Sequence, residues 1–496
     1  MMQVRPNICL YRSGDVRDLD RLTYETLDIP SYALMQRAGA SAYRIMRNRW
    51  PEVQRVGVVY GGGNNAGDGY VLAKLALENQ MSVRLFALAP MEKLKGDALE
   101  AAQDFVEIGG EICGPEAIAE YRMDLLVDAM IGTGLKGKMN KQWRTAIEGM
   151  NACSCPVLSL DIPSGLDGDT GDVPGMAVQA AVTATFVGQK QGLYTGKGPE
   201  YCGEVVFDAL GAPMSVYQKS KVASRLVEHD DVAAALAPRA RDSHKGDFGH
   251  VLVIGGEVGY AGAALMSAEA AGRVGAGLIS VGTREVHVAL MVGHRPELMV
   301  RGIESQGSLD LLIERASVVV LGPGLGRSEW SKRVFDRTIE SDKPMILDAD
   351  ALNLLAKKDE IDCPGNWVVT PHPGEAARML DCSIEEVQED RFTAATEIQK
   401  RYGGICVLKG SGTLIRSKDE MRLCRRGNPG MASGGMGDVL TGTIAGLTAQ
   451  GLSLLDAASI GVWVHGTAGD RAAKEGGERG TLAGDLMHHL RRLVNP

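Results

Sequence analysis

The residues of this chain that are best suited to chemistry follow predicted β-strands and lie among glycines. In the first half, YGGGNNAGDGY (60–70) comes directly after a strand, leads into a helix and places Asn64, Asn65 and Asp68 within one turn. Amide groups at the start of a helix can hold a phosphate. Asn and Asp are also common helix caps, so this loop taken alone is compatible with a purely structural role.

Two further strand ends in the first half have the same character. VDAMIGTGLKGK (127–138) ends a strand at Asp128, and SLDIPSGLDGDTG (159–171) ends a strand at Asp161 and then places Ser164 after a proline. Because the carboxyl ends of parallel strands meet at one edge of a sheet, we expect the three loops to converge in one crevice, where ligands bind.

The sharpest feature of the second half is GNPGMASGGMGDVLTG (427–442), which opens a long helix. Glycines at a helix start leave amides free to hold phosphate oxygens, and Asp438 can accept a hydroxyl proton. This arrangement suits transfer of a γ-phosphoryl group to an alcohol, where positioning and charge stabilisation supply most of the catalysis. KGSGT (409–413) follows the preceding strand and adds a second glycine-rich turn.

Other strands of the second half also end in turns that could contact a ligand. These turns are GPGLG (322–326), LDADALN (347–353) and TPHPGE (370–375). His372 lies between two prolines, a rigid placement that is unusual for a core histidine. The helix that begins AGAA (261–264) is rich in small residues, which is typical either of tight helix packing or of a ligand contact.

These turns can form one site only if the strands before them end at the same edge of a sheet. The sequence predicts a sheet of this kind in each half. Short β-branched runs alternate with alanine-rich helical segments such as 70–79 and 98–108, which is typical of a parallel, doubly wound α/β sheet. The predicted strands of the first half are 56–60, 83–87, 125–128, 157–161, 183–187 and 204–207. Those of the second half are 250–256, 278–282, 317–322, 344–348, 367–370 and 405–410.

The two halves are separated by a polar stretch, 211–243, that contains Pro213 and Pro238. We place the boundary near residues 212–225. The prediction is therefore two α/β domains, over residues 1–218 and 219–496, which agrees with a chain too long for one hydrophobic core.

Composition excludes several classes of protein. A net charge of −9 and an aromatic content of 5% disfavour a nucleic-acid partner. Of the nine cysteines only Cys153 and Cys155 are close in sequence, so a structural zinc site is disfavoured and reduced thiols are expected. With no signal peptide and no apolar run of membrane length, we expect a soluble, cytoplasmic protein.

The histidines 488 and 489, on a terminal helix, are expected to be solvated, and the neighbouring arginines 491 and 492 to be surface charge.

The first half resembles the YjeF N-terminal family, the NAD(P)H-hydrate epimerases, over about residues 10–215. The family pattern NNxGDG, VDAxxGxG and DIPSG stands here as NNAGDG, VDAMIGTG and DIPSG. The resemblance implies a Rossmann-like fold, catalysis by Asp161, which would contact the reacting end of the hydrate, and a potassium ion held by Asn65, Asp128 and Ser164. The implied hydrate-binding positions are Asn64, Asn65, Ala66, Gly67, Asp68, Gly132, Thr133, Gly134, Leu135, Lys136, Gly137, Lys138 and Asp161.

The chemistry of such a substrate suits a carboxylate. A hydrated nicotinamide carries a hydroxyl group on the carbon next to the ring nitrogen. Loss of hydroxide gives an iminium ion, and water can return to the other face. Asp161 could assist the proton transfer and stabilise the cation.

The second half resembles the ribokinase-like superfamily, and specifically the ADP-dependent NAD(P)H-hydrate dehydratases, over about residues 225–494. The motifs that carry the resemblance are GPGLG, DADALN, TPHPGE, KGSGT and NPGMASGGMGD. The resemblance implies that the hydrate is contacted by Ala263, Gly324, His372 and Asp438, with Asp438 catalytic. It implies that the adenine nucleotide, with Mg²⁺, is held by Lys409, Gly410, Ser411, Gly412, Thr413 and Gly437.

Together the halves predict a bifunctional repair enzyme for NADH or NADPH hydrates that forms a homo-oligomer. The first domain would interconvert the R and S epimers, and the second would phosphorylate and dehydrate the S epimer with ADP. ATP is the alternative nucleotide. The nearest rival function is a vitamin-precursor kinase, such as a hydroxyethylthiazole or hydroxymethylpyrimidine kinase, preceded by a glycine-rich, non-catalytic nucleotide-binding domain. A second alternative, of a different class, makes the N-terminal half a non-catalytic nucleotide sensor or protein-interaction module.

Overall fold

The computed structural model describes residues 5–119, 121–132, 141–358 and 365–495. It divides the chain into two compact units, Met1–Arg225 and Leu226–Pro496, a few residues after the predicted boundary at 218/219. Buried apolar clusters form within each unit. The helices in the described part of the chain are all too short or too polar to cross a membrane.

The first unit contains most of its strands in one parallel sheet. Its strands are β1 (Cys9–Tyr11), β2 (Arg55–Tyr60), β3 (Ser82–Ala87), β4 (Ile112–Cys113), β5 (Leu125–Ala129), β6 (Val157–Leu160), β7 (Val182–Phe186), β8 (Gln189–Lys190), β9 (Glu204–Asp208) and β10 (Ser224–Leu226), which ends across the division. Its helices are α1 (Ser13–Leu27), α2 (Ser31–Arg49), α3 (Asn64–Glu78), α4 (Asp97–Glu107), α5 (Lys141–Ala152), α6 (Gly198–Cys202) and α7 (Met214–Gln218).

The order of the seven-stranded sheet, β4-β3-β2-β5-β6-β7-β9, explains where a ligand can bind in this unit. All neighbouring strands are parallel. The chain runs outward from β2 to β4 and then returns to the other side of β2 with β5. The crevice between the carboxyl ends of β2 and β5 is therefore the topological switch point, the usual ligand position in open α/β sheets.

The second unit also has a largely parallel sheet. Its strands are β11 (His250–Ile254), β12 (Leu278–Thr283), β13 (Met299–Gly302), β14 (Val318–Leu321), β15 (Met345–Leu347), β16 (Trp367–Val369), β17 (Ile405–Leu408), β18 (Thr413–Arg416) and β19 (Met421–Cys424). Its helices are α8 (His229–Ala235), α9 (Ala261–Arg273), α10 (Val288–His294), α11 (Gln306–Arg315), α12 (Glu329–Ile339), α13 (Asp350–Leu355), α14 (Pro373–Leu380), α15 (Ile384–Glu389), α16 (Arg391–Tyr402), α17 (Met436–Ala449), α18 (Leu454–Gly476) and α19 (Met487–Leu493).

In this unit the parallel order is β13-β12-β11-β14-β15-β16-β17, and β18 and β19 continue it as antiparallel strands. The switch point lies between β11 and β14. Strands such as β11 and β14 are nearly continuous apolar runs because helices cover both faces of a parallel sheet.

The small residues of α9 allow very close packing against α17. A Cβ atom at Gly442 would overlap the carbonyl oxygen of Ser267, and one at Gly446 would lie 2.6 Å from that of Ala271. Tight packing, one of the two alternatives for this helix, is therefore established. Since α17 also carries the GGMGD turn at its start, this packing fixes the position of that turn.

Candidate active sites

In the first unit, Asp161 forms an ion pair with Lys190, whose side chain is fully buried. The Lys190 Nζ atom also donates to Oγ1 of Thr185, at 3.1 Å. Asp161 directly follows β6 and has a φ of +69°, a strained conformation for a residue with a side chain. Such strain is found where the surrounding structure holds a functional group in place.

Two further carboxyl groups interact with this ion pair. Burial raises the pKa of Asp68 well above its usual range, and the charges of Asp161 and Asp20 raise it further. Burial raises the pKa of Asp20 to about 7, with Lys190 opposing the shift and Asp161 adding to it. The positive charge of Lys190 thus acts on three carboxyl groups, those of Asp161, Asp68 and Asp20. Near neutral pH at least one of these groups retains a proton.

The predicted convergence of the three loops is present. A Cβ atom built on Gly132, after β5, would lie 3.4 Å from Cβ of Asn65 and 3.6 Å from Oδ2 of Asp161. The ends of β5 and β6 and the start of α3 therefore meet at the switch point. The remaining predicted positions of the glycine loop, residues 133–138, lie outside the described residues.

The start of α3 does not use its polar side chains as helix caps. Gly63 is the N-cap and no side chain caps the helix, so the structural explanation for Asn64 and Asn65 does not hold. Asn64 is exposed, whereas Asn65 is only 6% exposed and neither of its side-chain amide atoms has a hydrogen-bond partner in the described residues. Ala66 is fully buried and Gly67 packs against Met35, so these two positions face the core.

Asp128 and Ser164, the other predicted potassium ligands, bind each other. The two carboxylate oxygens of Asp128 accept four hydrogen bonds: from Ser164 Oγ at 2.6 Å, Ser164 N at 2.8 Å, Ser159 Oγ at 2.9 Å and Met130 N at 3.2 Å. Burial nevertheless raises the pKa of Asp128 above its usual value. This network holds the β5 and β6 strand ends together.

In the second unit, Lys409 and Asp348 form the central ion pair of the site. Lys409 Nζ lies 2.7 Å from Asp348 Oδ1 and 3.8 Å from Glu375. Oδ1 also accepts from Thr370 Oγ1 at 2.8 Å, and Oδ2 from Thr441 Oγ1 at 2.9 Å. Burial alone would lower the pKa of Lys409, but the charges of Asp348 and Glu375 raise it above its usual value, so the ammonium form persists.

Asp438, in the first turn of α17, has no hydrogen bond or ion pair among the described residues. Burial raises its pKa to about 7, with the charge of Asp348 adding to the shift and that of Lys409 opposing it. The pKa of the neighbouring Glu375 is likewise raised by burial to about 7. A carboxyl group with a pKa near neutrality and no partner is well suited to exchange a proton with a ligand.

Gly437 provides the space in which the Lys409–Asp348 pair lies. A Cβ atom at position 437 would be 3.2 Å from Lys409 Nζ and 3.4 Å from Asp348 Oδ2. The predicted nucleotide-binding residues Lys409 and Gly437 are therefore adjacent. The rest of KGSGT forms the turn between β17 and β18, where Thr413 Oγ1 donates to the carbonyl of Gly410 at 3.1 Å.

His372 caps α14 through one nitrogen of its ring. Its Nδ1 accepts from the amides of Gly374 and Glu375, at 3.0 and 3.3 Å. In the neutral ring the proton must then be on Nε2, which makes that atom a donor. Burial, followed by the charge of Lys409, lowers the pKa of His372 below its usual value, so the ring is neutral near pH 7.

Ala263 and Gly324, the other predicted hydrate contacts, are adjacent at the switch point between β11 and β14. A Cβ atom at Gly324 would lie 3.1 Å from Cβ of Ala263 and 2.6 Å from the carbonyl oxygen of Tyr260. Gly324 also has a φ of +58°, so both the backbone conformation and the close approach require glycine here.

Several residues of these sites are missing from the sequence predictions. Lys190 and Asp20 stand in no recognisable motif. The position of Lys190 shortly after the buried strand β7 is nevertheless a signal that could have marked it as a functional residue. Asp348 and Glu375 stand in DADALN and TPHPGE, but those motifs do not identify which residue forms the ion pair. Arg391, only 1% exposed, donates to the carbonyls of Leu408 and Lys409 beneath the KGSGT turn.

Comparison with known proteins identifies both units. A family model described as "YjeF-related protein N-terminus" matches residues 31–192, and one described as "NAD(P)H-hydrate dehydratase" matches residues 251–492. The bifunctional NAD(P)H-hydrate repair enzyme Nnr of Coxiella burnetii is 48% identical over 98% of this chain and 99% of its own length. This chain belongs to the bifunctional NAD(P)H-hydrate repair enzymes. The corresponding Escherichia coli enzyme is 42% identical over 98% of this chain and 94% of its own length.

Solved structures resemble the second unit. An ADP/ATP-dependent NAD(P)H-hydrate dehydratase from Bacillus subtilis, co-crystallised with ATP and Mg²⁺, is 33% identical with a TM-score of 0.51, over 54% of this chain and 97% of that one. A ribokinase-like protein from Enterococcus faecalis is 31% identical with a TM-score of 0.52, over 54% and 95%. The predicted family and the epimerase–dehydratase function are confirmed over the vitamin-precursor kinase.

Proposed function

We propose that Asp161, Lys190 and Asp68 carry out the epimerisation of hydrated NADH or NADPH in the first unit. Asp68 retains a proton because of its raised pKa and can give it to the departing hydroxide. The Asp161 carboxylate lies beside it and stabilises the iminium ion that forms. Water then adds to the opposite ring face and a proton returns to the carboxyl cluster. Two acids in different environments thus take different roles.

The pyrophosphate and sugar of the hydrate would lie along the loops at the switch point. The start of α3, from Asn64 to Asp68, offers amides to phosphate oxygens. Gly132 and the predicted loop 133–138, with its two lysines, belong to the same proposed binding region. Ala66 and Gly67 contribute through the backbone, since both positions pack against the core.

Potassium binding in this unit is supported most directly by Asn65. Its buried amide oxygen lacks a hydrogen-bond partner in the described residues and offers the hard ligand that such a cation prefers. Asp128 already accepts four hydrogen bonds, so it would exchange the longest, 3.2 Å from Met130 N, for the ion, with Ser164 beside it. A cation held there would offset the negative charge of the phosphates.

The second unit, in our proposal, uses Asp438 as its catalytic base. Asp438 takes the proton of the hydrate hydroxyl as that oxygen attacks the terminal phosphoryl group of the nucleotide, and the bond from this phosphorus to the bridging oxygen breaks, which releases AMP from ADP or ADP from ATP. The phosphate–oxygen bond formed in this way turns hydroxide into a good leaving group. The carbon–oxygen bond then breaks with loss of a proton from the adjacent ring carbon, which gives the dihydronicotinamide and inorganic phosphate. The observation that carries this proposal is the unpaired Asp438 carboxyl with a pKa of about 7.

Other residues of the second unit hold the two substrates in this proposal. Ala263 and Gly324 leave room for the hydrate, and the Nε2–H of His372 donates to it. The nucleotide is held by the amide of Gly437, the ammonium of Lys409 and the turn Gly410–Thr413. ADP is the proposed donor, with ATP as an alternative, and Mg²⁺ would neutralise the phosphates next to Asp438.

Two wider features belong to the same proposal. A cytoplasmic location agrees with the free thiols found among the described cysteines. The second feature is a homo-oligomeric state, which gel filtration with light scattering would measure.

An assay with separated epimers tests the proposed function. The S hydrate is incubated with ADP, with ATP and without nucleotide, and the return of the dihydronicotinamide absorbance is followed. Stoichiometric AMP and phosphate with ADP are expected, and the R hydrate should react only after epimerisation. Phosphate retained on the nicotinamide product would show a kinase and contradict the proposal.

A further inference from the structure

Three metal-ligating side chains meet in the second unit without a role in the sites above. Glu475 lies in the last turn of α18, and His488 and His489 lie on α19. Glu475 Oε2 is 3.4 Å from Nε2 of His489 and 3.7 Å from Nε2 of His488. One ligand atom from each residue lies within 4.8 Å of the others, and the two imidazole rings are 3.7 Å apart between centroids.

The two Glu475–histidine separations are close to those of ligands around an ion. A hydrogen bond from an imidazole N–H to a carboxylate would place the two heavy atoms about 2.7–3.2 Å apart. Ligand atoms bound to a tetrahedral ion at about 2.0–2.1 Å are about 3.4 Å from one another. The two Glu475–histidine distances are near the second value and longer than the first.

His489 gives independent evidence for a ligand at this position. The prediction that it is solvated is wrong: it is only 1% exposed, because α19 packs it inward, whereas His488 is exposed as expected. Neither ring nitrogen of His489 has a hydrogen-bond partner in the described residues. Leaving a buried polar group unsatisfied costs about 1–3 kcal/mol, so a buried imidazole normally finds a partner.

We propose that Glu475, His488 and His489 bind a divalent transition-metal ion such as Zn²⁺. Two imidazoles and one carboxylate are a donor set that such ions favour, and they leave a coordination position open. The positive charges of Arg471 and Arg492 also act on His489. They weaken the binding of a bare dication and favour an anion as the remaining ligand.

A cavity beside the cluster offers space for that remaining ligand. Its volume is about 570 Å³, and it is lined by Arg273, His488, Arg491, Arg492 and Asn495. His488 belongs both to the cavity wall and to the metal cluster. The ion would therefore lie at the wall of a basic cavity.

Cobalt binding to the full-length chain tests the proposal. The protein is freed of metal with a chelator and titrated with Co²⁺, whose visible absorption reports tetrahedral or five-coordinate binding, and Zn²⁺ is then used to displace it. One equivalent with this absorption is expected. Glu475→Gln and His488→Ala, both at exposed positions, should each weaken binding at least about tenfold, which is 1.4 kcal/mol.

Two matched exposed substitutions, Glu478→Gln and His294→Ala, are the controls and should bind Co²⁺ like the parent. A second readout is thermal: Zn²⁺ should raise the Tm of the parent and of both controls, but not of the two cluster variants. The proposal is overturned if the parent shows no such absorption, or if the cluster variants bind Co²⁺ as tightly as the controls. In either case the cluster is a stacked histidine pair beside a carboxylate.

Discussion

The ammonium group of Lys409 forms its ion pair with Asp348, with 2.7 Å between Nζ and Oδ1, and not with Asp438. Asp348 is 1% exposed and, despite burial, has its pKa lowered by the charge of Lys409. The pair leaves a negative charge close to Asp438, and that charge adds to the effect of burial in raising the pKa of Asp438. The charges of the central ion pair therefore contribute, after burial, to the protonation of the proposed base.

Asp348→Asn should shift the pH dependence of dehydration. The substitution removes a charge that raises the pKa of Asp438 and frees Lys409, which lowers it, so the pKa should fall below about 7. Because the base must be ionised, the acid limb of kcat/KM should move to lower pH. Thr441→Val removes a hydrogen bond to Asp348 but keeps the charge of Asp348. It should leave the acid limb of kcat/KM near the pH at which the parent shows it. An unchanged limb in Asp348→Asn would contradict the coupling.

Lys190→Met should slow epimerisation strongly while leaving dehydration intact. Methionine fills the buried volume but removes the only ammonium group shown to pair with Asp161 in the described residues. Loss of the positive charge beside Asp161 should lower the rate of epimerisation about 10²–10³-fold. Lys197→Met, at an exposed lysine that pairs with Asp172, is the control. Epimerisation within a few-fold of the parent would remove Lys190 from the mechanism.

The loops at the strand ends could be predicted well from the sequence. Glycine and Asp or Asn after an apolar run identify the carboxyl edge of a parallel sheet, and Asn65, Gly132 and Asp161 do meet there. The same logic brings Lys409 next to Gly437. Local patterns suffice because chain connectivity and sheet topology determine which strand ends are neighbours.

Residues joined by tertiary packing could not be predicted in the same way. Asp20 lies on α1, far in sequence from Asp161, and no spacing rule connects them. Lys190 pairs with Asp161 only because β7 lies beside β6 and the chain then continues from β7 to Lys190 in β8. His489 resembles a surface histidine in sequence, and only the packing of α19 shows that it is buried.

Potassium should matter to epimerisation only. Replacing K⁺ by tetramethylammonium, which is too large for a site beside the buried Asn65 amide, should slow epimerisation about tenfold, the effect of losing roughly 1.4 kcal/mol of stabilisation. Dehydration of the S epimer should change little. Asn65→Leu should be slow in both salts and lose the difference between them. Equal sensitivity of the two activities to the cation would argue against an ion at this position.

The two units should fold when separated at the observed division. The fragments 1–225 and 226–496 each contain their own sheet and buried apolar cluster, so each should unfold cooperatively and retain its own activity. A fragment 1–218, cut at the predicted boundary, loses the pairing of β10 with β1 and should have a lower Tm than 1–225. Calorimetry of the three fragments measures this. Aggregation of both larger fragments would show that the units depend on each other.

Asp438→Asn is the most discriminating substitution for the dehydratase mechanism. Asparagine keeps the size of the side chain and can still form hydrogen bonds, so the GGMGD turn and nucleotide binding should persist. The carboxylate that accepts the hydroxyl proton is lost, which should lower kcat about 10²–10⁴-fold, or by roughly 3–5 kcal/mol in the barrier. Epimerisation should proceed at the parental rate, so a mixture of hydrates would equilibrate without returning to the reduced cofactor.

The same variant should differ from the parent in how its stability depends on pH. The raised pKa means that folding favours protonated Asp438, so the parent loses stability as pH rises from about 4, the unfolded pKa, through about 7. The asparagine amide does not titrate, so Asp438→Asn should gain up to about 4 kcal/mol over the parent above pH 7 and little near pH 4. Denaturation at both pH values measures the difference. A variant that dehydrates within a few-fold of the parent, yet shows this stability gain, would place Asp438 in the buried cluster but not at the reacting oxygen.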